Sequence, residues 1–319
     1  MRFLLRWLTR LIVLLLALVL VAVLFYGKKD IPPETLISKY GNTQSKFMNL
    51  MGMNVHYRDE GNRNDSVPLV LLHGTASSLL TWDSTVILLG SQHRTIRFDL
   101  PGYGITGPNP TREYDPAFYM RFIDSVLIQL GVTHCVLAGN SLGGFLAWQY
   151  ALAYPSKVTK LILVDAGGYI PKVKPDVPLA FKIAAIPVVK NLLKWITPRA
   201  LVRKSVENVY FDKGRVTDQL VDQYWDLALR TGNRQALIDR MQLHYGNELS
   251  DKIPQITTPT LIIWGAEDHL IPVDNAASFH KDIRGSQLAI LPNTGHVPME
   301  ETPQKFVQLL LPFLSSNHN

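Results

Sequence analysis

Leu137-Ala138-Gly139-Asn140-Ser141-Leu142-Gly143-Gly144-Phe145-Leu146-Ala147-Trp148-Gln149-Tyr150 decides the fold, because it sets one serine between glycines where a strand-type run meets a helix-type run. Cys135, Val136 and Leu137 lead in, and a helix-type stretch follows Ser141. A junction this tight forces its central residue into a strained backbone conformation, and side chains on the flanking positions would collide with the adjoining strand and helix. Gly139 and Gly143 remove the collision and leave the serine hydroxyl exposed. In a chain of this composition the bare pattern G-x-S-x-G arises by chance about 0.07 times, so its context has to carry the reading.

The surrounding chain supplies that context. Val67 to Leu72, Thr95 to Asp99, Val158 to Val164, Pro259 to Trp264 and Gln287 to Leu291 read as short strands, most of them apolar on both faces, as in a parallel sheet buried on both sides. Lys46 to Leu50 and Met53 to Tyr57 alternate around Met51-Gly52 and predict a hairpin. Between the runs, Pro116 to Leu130, Leu142 to Tyr154 and Gln304 to Leu314 have helical periodicity. Strands alternating with helices predict an α/β fold with a mostly parallel central sheet, helices on both faces, and functional loops at the strands' carboxyl ends. Tyr169 to Gln255 carries no strand signal and reads as a helical insertion at about 169–255 within a domain spanning 30–319. Asp30 to Tyr40, with Pro32 and Pro33, reads as a linker.

A serine hydroxyl is too weakly acidic to attack a carbonyl unaided; it needs a base within hydrogen-bond reach and a third group to orient that base. His296 follows the last strand in Asn293-Thr294-Gly295-His296 and is the candidate base. An unperturbed histidine titrates near about 6.5, so a neutral His296 predicts activity that rises from acid to neutral pH. Asp268 is the first candidate for the orienting acid; Asp165, at the end of an earlier strand, and the adjacent Glu267 are the alternatives. The developing oxyanion calls for two backbone donors, assigned to the amides of Leu142 and Thr75. His73 and Asp99 read as structural, the first bonding its own loop and the second serving the turn behind it.

His73-Gly74, Asp99-Leu100-Pro101-Gly102-Tyr103-Gly104, Gly139-Asn140-Ser141-Leu142-Gly143-Gly144, Trp264-Gly265-Ala266-Glu267-Asp268 and Gly295-His296 together resemble the α/β-hydrolase superfamily, over about Lys46 to Leu314. The resemblance implies a Ser141-Asp268-His296 triad, a cap domain in the insertion, and neither metal nor organic cofactor. A serine at the elbow sets aside the dehalogenases and epoxide hydrolases of this fold, which use aspartate there. It leaves esterases and lipases, carbon-carbon bond hydrolases acting on meta-cleavage products, and cofactor-free perhydrolases. The loop Thr75-Ala76-Ser77-Ser78 departs from the glycine- and proline-bearing loop of the carbon-carbon hydrolases. The expectation is therefore a carboxylic ester hydrolase acting on acyl-lipid or similarly apolar esters.

The N-terminus adds a location. Leu11 to Tyr26 is an unbroken apolar run of 16 residues, about 24 Å as a helix, which Trp7 and Leu8 extend toward the roughly 30 Å of a bilayer core. Val23-Leu24-Phe25-Tyr26-Gly27 lacks a small-x-small cleavage pattern, which favours a retained anchor over residues 1–29 against a cleaved signal peptide. Arg2, Arg6 and Arg10 before the run, against Lys28 and Lys29 after it, predict a cytoplasmic N-terminus and an extracytoplasmic catalytic domain. From Tyr169 to Lys204, eight basic residues against one acid (Asp176) alternate with apolar ones such as Leu179, Ile186, Val188, Leu192 and Trp195, a mixture suited either to a membrane surface or to an ordinary cap helix. The formal charge of +6 lies partly in the N-terminal arginines, and no basic-aromatic pattern points to nucleic acid. Cys135 is the single cysteine, which excludes an intrachain disulfide and a cysteine-built zinc site.

Overall fold

The computed structural model describes residues 2–171, 175–184, 186, 194–243 and 249–316. Eight strands form one sheet: β1 (Lys46–Leu50), β2 (Met53–Gly61), β3 (Leu69–Leu72), β4 (Arg94–Phe98), β5 (Cys135–Asn140), β6 (Val158–Val164), β7 (Thr260–Gly265) and β8 (Gln287–Leu291). Their order is β1-β2-β4-β3-β5-β6-β7-β8, antiparallel for the β1–β2 and β2–β4 pairs and parallel elsewhere. The helices in chain order are α1 (Arg2–Tyr26), α2 (Pro33–Tyr40), α3 (Asp83–Leu89), α4 (Pro116–Gln129), α5 (Leu142–Ala153), α6 (Leu179–Ala184), α7 (Arg199–Val209), α8 (Asp218–Ala228), α9 (Asn233–Met241), α10 (Asp274–Asp282), α11 (Pro298–Glu301) and α12 (Pro303–Ser315).

The apolar strand runs have a direct cause. Val70 and Leu72 of β3, Leu137 of β5, Leu161 and Leu163 of β6, and Ile262 and Trp264 of β7 face the core under α4, α5 and α10. Their immediate neighbours Leu69, Leu71, Val136, Ala138, Ile162, Val164, Leu261 and Ile263 face the second core, under α3 and α12. Successive side chains point to opposite faces, so a central strand covered on both sides must be apolar at every position. The edge strand β8 is mostly exposed, with only Leu291 buried.

Between β6 and β7 the described residues form α6 to α9 and short 3-10 turns, with no strand. The cap lysines Lys172, Lys174 and Lys190 and the apolar residues Val188, Val189, Leu192 and Leu193 lie outside the described residues. The linker expectation for Asp30 to Tyr40 is corrected: Pro33–Tyr40 is helix α2, and Leu36 is fully buried in a small cluster with Leu79, Leu80, Ile105 and Leu227. Proline at the first helical position presets φ without losing a useful N–H, so Pro33 starts this helix instead of blocking one. Among the described residues no helix is long and apolar enough to cross a membrane. Helix α1 is continuous for 25 residues, but the side chains at many of its apolar positions lie outside the described residues, and the anchor is taken up below as a proposal.

Candidate active site

Ser141 sits between β5 and α5 with φ of 55° and ψ of −114°. A non-glycine residue holds such a conformation only where its surroundings impose it. Those surroundings are backbone: a Cβ built on Gly139 would lie 2.2 Å from the Gly143 carbonyl carbon, and one on Gly143 would lie 2.2 Å from the Leu72 carbonyl oxygen. Larger residues at either position would push the strand and helix apart and relax the turn. The Ser141 N–H donates to the Val164 carbonyl, and its carbonyl accepts from Phe145 and Gly167, so the strained residue is tied on both sides.

The loop after β3 passes against this turn, where a Cβ on Gly74 would stand 3.1 Å from the Ser141 Cβ. His73 fixes that loop. The Leu100 N–H donates to its Nε2 at 2.9 Å, which leaves Nδ1 as the protonated nitrogen donating to the Gly74 carbonyl at 2.8 Å. Burial lowers the His73 pKa, in keeping with this neutral tautomer. Asp99, fully buried, accepts the Leu79 and Ile105 N–H groups and the Nδ1 of His56. Both residues are thus structural, as their sequence context implies. The amides of Thr75 and Leu142 donate to no group among the described hydrogen bonds, and Thr75 lines the same cavity as Ser141.

His296 and Asp268 come together across 28 positions of chain, with Nδ1 of the ring 2.7 Å from Oδ2 of the carboxylate. The other oxygen of Asp268 accepts the N–H groups of Leu270 and Ile271 at 2.8 and 3.0 Å, which orients the carboxylate toward the ring. Glu267 makes no bond to His296 among the described residues, its own N–H donating to the Thr294 carbonyl. Asp165 is buried close by, but its Oδ1 accepts the Gly265 N–H instead. Asp165, Asp268 and His296 form the one cluster of potential metal ligands found among the described residues, with ligand atoms within 4.8 Å of one another. Three of the bonding directions on Asp268 already point to His296, Leu270 and Ile271, so the set is built around the histidine. Ser141 and His296 line one cavity, although no hydrogen bond joins them; such bonds often tighten only with substrate in place.

Sequence reading missed the residues that place the histidine loop. Asn140 Nδ2 donates to the carbonyls of His296 and Val164 at 3.0 and 3.2 Å. Glu301, fully buried, accepts the N–H groups of Gly295, Phe211 and Asp212, while the His296 N–H donates to the Val209 carbonyl. The loop that carries His296 is thereby fastened to the elbow on one side and to the cap on the other. Glu300 accepts hydroxyl bonds from Thr81, Tyr210 and Tyr224, and burial raises its pKa in spite of those donors. The only local signal was the pair Glu300-Glu301 just after the histidine, which reads as an ordinary acidic first turn of a helix.

The cavity over Ser141 measures about 1280 Å³ including its open mouth. Cap residues Phe181, Leu201, Val202, Val206, Val209, Leu227, Leu237 and Ile238 form most of its wall, and Thr75, Ser77, Asn140, Ser141, Tyr224 and His296 add polar groups near its floor. Among the described lining residues the one side chain with a permanent charge is Arg234, which is paired with Asp30 at 2.6 Å.

The model of the alpha/beta hydrolase fold family matches residues 67–303. A 2-hydroxy-6-oxononadienedioate/2-hydroxy-6-oxononatrienedioate hydrolase of Comamonas testosteroni is 27% identical over 293 residues, 86% of this chain and 98% of that protein. A putative lipase of Acinetobacter baumannii is similar in structure, with a TM-score of 0.72, 25% identity, and coverage of 90% of this chain and 97% of its own. A membrane phospholipase A described as a bacterial virulence factor has a TM-score of 0.74 at 24% identity, covering 97% of each chain. The different loop at Thr75 to Ser78 therefore does not separate this chain from carbon-carbon hydrolases. With the serine turn, the parallel sheet and the matched family model in agreement, this chain belongs to the alpha/beta hydrolase fold family and is a hydrolase.

Proposed function

We propose that the protein cleaves carboxylic esters with an apolar acyl group through an acyl-enzyme on Ser141. In this reading His296 takes the serine proton during attack and returns it to the leaving alcohol, and Asp268 holds the imidazole in the required tautomer. The amides of Thr75 and Leu142 receive the oxyanion. Neither metal nor organic cofactor is needed. One observation carries the substrate class: the wall facing Ser141 is apolar, and its single charged side chain, Arg234, already has a carboxylate partner in Asp30. An acyl chain gains by entering such a space, whereas a dianion would lose its hydration and meet one cation, Arg234, which already bonds to Asp30 and keeps only Nη1 without a partner.

The second reading is a carbon-carbon hydrolase of the meta-cleavage type, favoured by the Comamonas relative and its coverage. A perhydrolase shares the same triad and has no separate observation in its favour. Assaying p-nitrophenyl esters of increasing chain length beside the 2-hydroxy-6-oxononadienedioate named for that relative separates the first two. Turnover of the dioate with none of the esters would reverse the order of the readings.

We further propose that α1 is a retained single-pass anchor with a cytoplasmic N-terminus, holding the cap toward the lipid surface and the catalytic domain outside the cytoplasm. Its apolar run supports this, as does the way the chain leaves it. Gly27 bridges to Ile196, Lys28 N–H donates to the Trp195 carbonyl, and Ile31 exchanges backbone bonds with Leu229 and Thr231. Trp195 beside this seam is 63% exposed, as an interfacial aromatic would be.

A further inference from the structure

Asp165 directly follows β6 and Asp268 follows β7, and these strands are hydrogen-bonded neighbours. Both carboxyl groups are shut off from solvent, and with the His296 ring they converge within 4.8 Å. Two carboxylates this close in a dry interior do not both ionise; they share a proton. The hydrogen bonds decide which of them carries it. Asp268 accepts three donors, from Leu270, Ile271 and His296, which together stabilise its charge. Asp165 accepts one, from Gly265, and its buried Oδ2 receives none. Its backbone is also held at φ of 44°, outside the range most residues adopt, so the chain is constrained to keep the carboxyl there.

We propose that Asp165 is a neutral carboxylic acid whose Oδ2–H is directed at Asp268, making it a positioning residue for the orienting acid of the triad. A donor on Asp268 holds that carboxylate in register with the ring and draws off part of its charge, so His296 is a weaker base than a bare carboxylate would make it. Burial, and after it the charge of Asp268, push Asp165 well above the ordinary carboxylate range, in the same direction. The other charged group felt there, Glu301, has its oxygens bonded to the Gly295, Phe211 and Asp212 amides and adds to that push. The inference rests on the reading of His296 as base, but one of its readouts needs no turnover.

The test uses the full-length protein with Asp165→Asn, Asp165→Leu and Asp268→Asn. Infrared difference spectra in light and heavy water at neutral pH should show the carbonyl stretch of a protonated carboxyl in the wild type, and its loss in Asp165→Asn. Asn keeps a donor toward Asp268 and an acceptor for Gly265, so turnover should stay within about threefold of wild type and the acid limb of the pH profile should not move. Leu removes the donor; the acid limb should then move upward by about one pH unit with roughly tenfold lower turnover. The proposal is overturned if the wild type shows no protonated carboxyl, if Asp165→Asn is as inactive as Asp268→Asn, or if a folded Asp165→Leu keeps the wild-type pH profile. Should no variant or wild type turn over an ester, the infrared band still decides the protonation of Asp165, and the failure belongs to the ester reading alone.

Discussion

Asn140 donates its side-chain amide to the backbone carbonyl of His296 at 3.0 Å, joining the residue just before the candidate nucleophile to the candidate base. The second amide hydrogen goes to Val164, so one buried side chain sets the spacing of three loops at the sheet edge.

Asn140→Ala should therefore lower kcat by roughly 10- to 100-fold with a much smaller change in KM, because displacement of the base by about 1 Å is sufficient for a loss of that size. It also leaves the buried His296 carbonyl without its donor, while the Val164 carbonyl keeps the Ser141 N–H, at a cost of about 1–3 kcal/mol in stability. Steady-state kinetics beside a urea melt would check both; equal activity in Asn140→Ala would show that the loop is held elsewhere.

Ser141→Ala should abolish turnover and fluorophosphonate labelling while leaving the fold intact. Ser141→Gly should be equally inactive yet more stable by about 1 kcal/mol, since glycine adopts the positive φ of the turn without strain. Labelling that persists on another serine in either variant would move the nucleophile.

Stability should carry the signature of Glu300. Its folded pKa is raised by burial, so the stabilising contribution is full below the unfolded value of about 4.3 and is lost as pH rises through the higher folded value. Glu300→Gln has no proton to lose; its Oε1 still accepts from Thr81 and Tyr224, while its amide N–H donates to the Tyr210 hydroxyl oxygen. The difference in unfolding free energy, wild type minus Glu300→Gln, should thus become less favourable to the wild type from about pH 4 upward. A difference that is constant with pH would assign the same ionisation to Glu300 in both states.

Residues 28–31 behave as part of the cap. Arg234 is 8% exposed and bonds to Asp30 and to the Lys28 carbonyl. Asp30→Ala should cost about 1–2 kcal/mol, discounted because Asp30 itself is 38% exposed. A chain starting at Gly27 should keep ester turnover and stay in the aqueous phase, whereas one starting at Pro32 should melt earlier. The full-length protein should partition into membranes; its recovery in the aqueous phase without detergent would remove the anchor.

What the sequence by itself determined were features written in local spacing. Burial on both faces makes the central stretches of β3, β5, β6 and β7 (69–72, 135–138, 161–164 and 261–264) apolar at every position, so those strands are legible one by one. The elbow is legible because glycine is required wherever backbone approaches backbone, as at Gly139 and Gly143. The fold class and the short list Ser141, His296 and Asp268, Asp165 or Glu267 follow from that. Only the tertiary structure decided which acid reaches the histidine. Asp165 and Asp268 both follow neighbouring strands, and the choice turns on where the N–H groups of Gly265, Leu270 and Ile271 point. Long-range placement also revealed Asn140, Glu301 and the seam between Asp30 and Arg234. Their partners lie far away in the chain or are backbone atoms, and neither leaves a periodic trace in the sequence. Helix α2 was hidden for the opposite reason: its one deeply buried side chain, Leu36, finds its contacts only when the rest of the molecule is present.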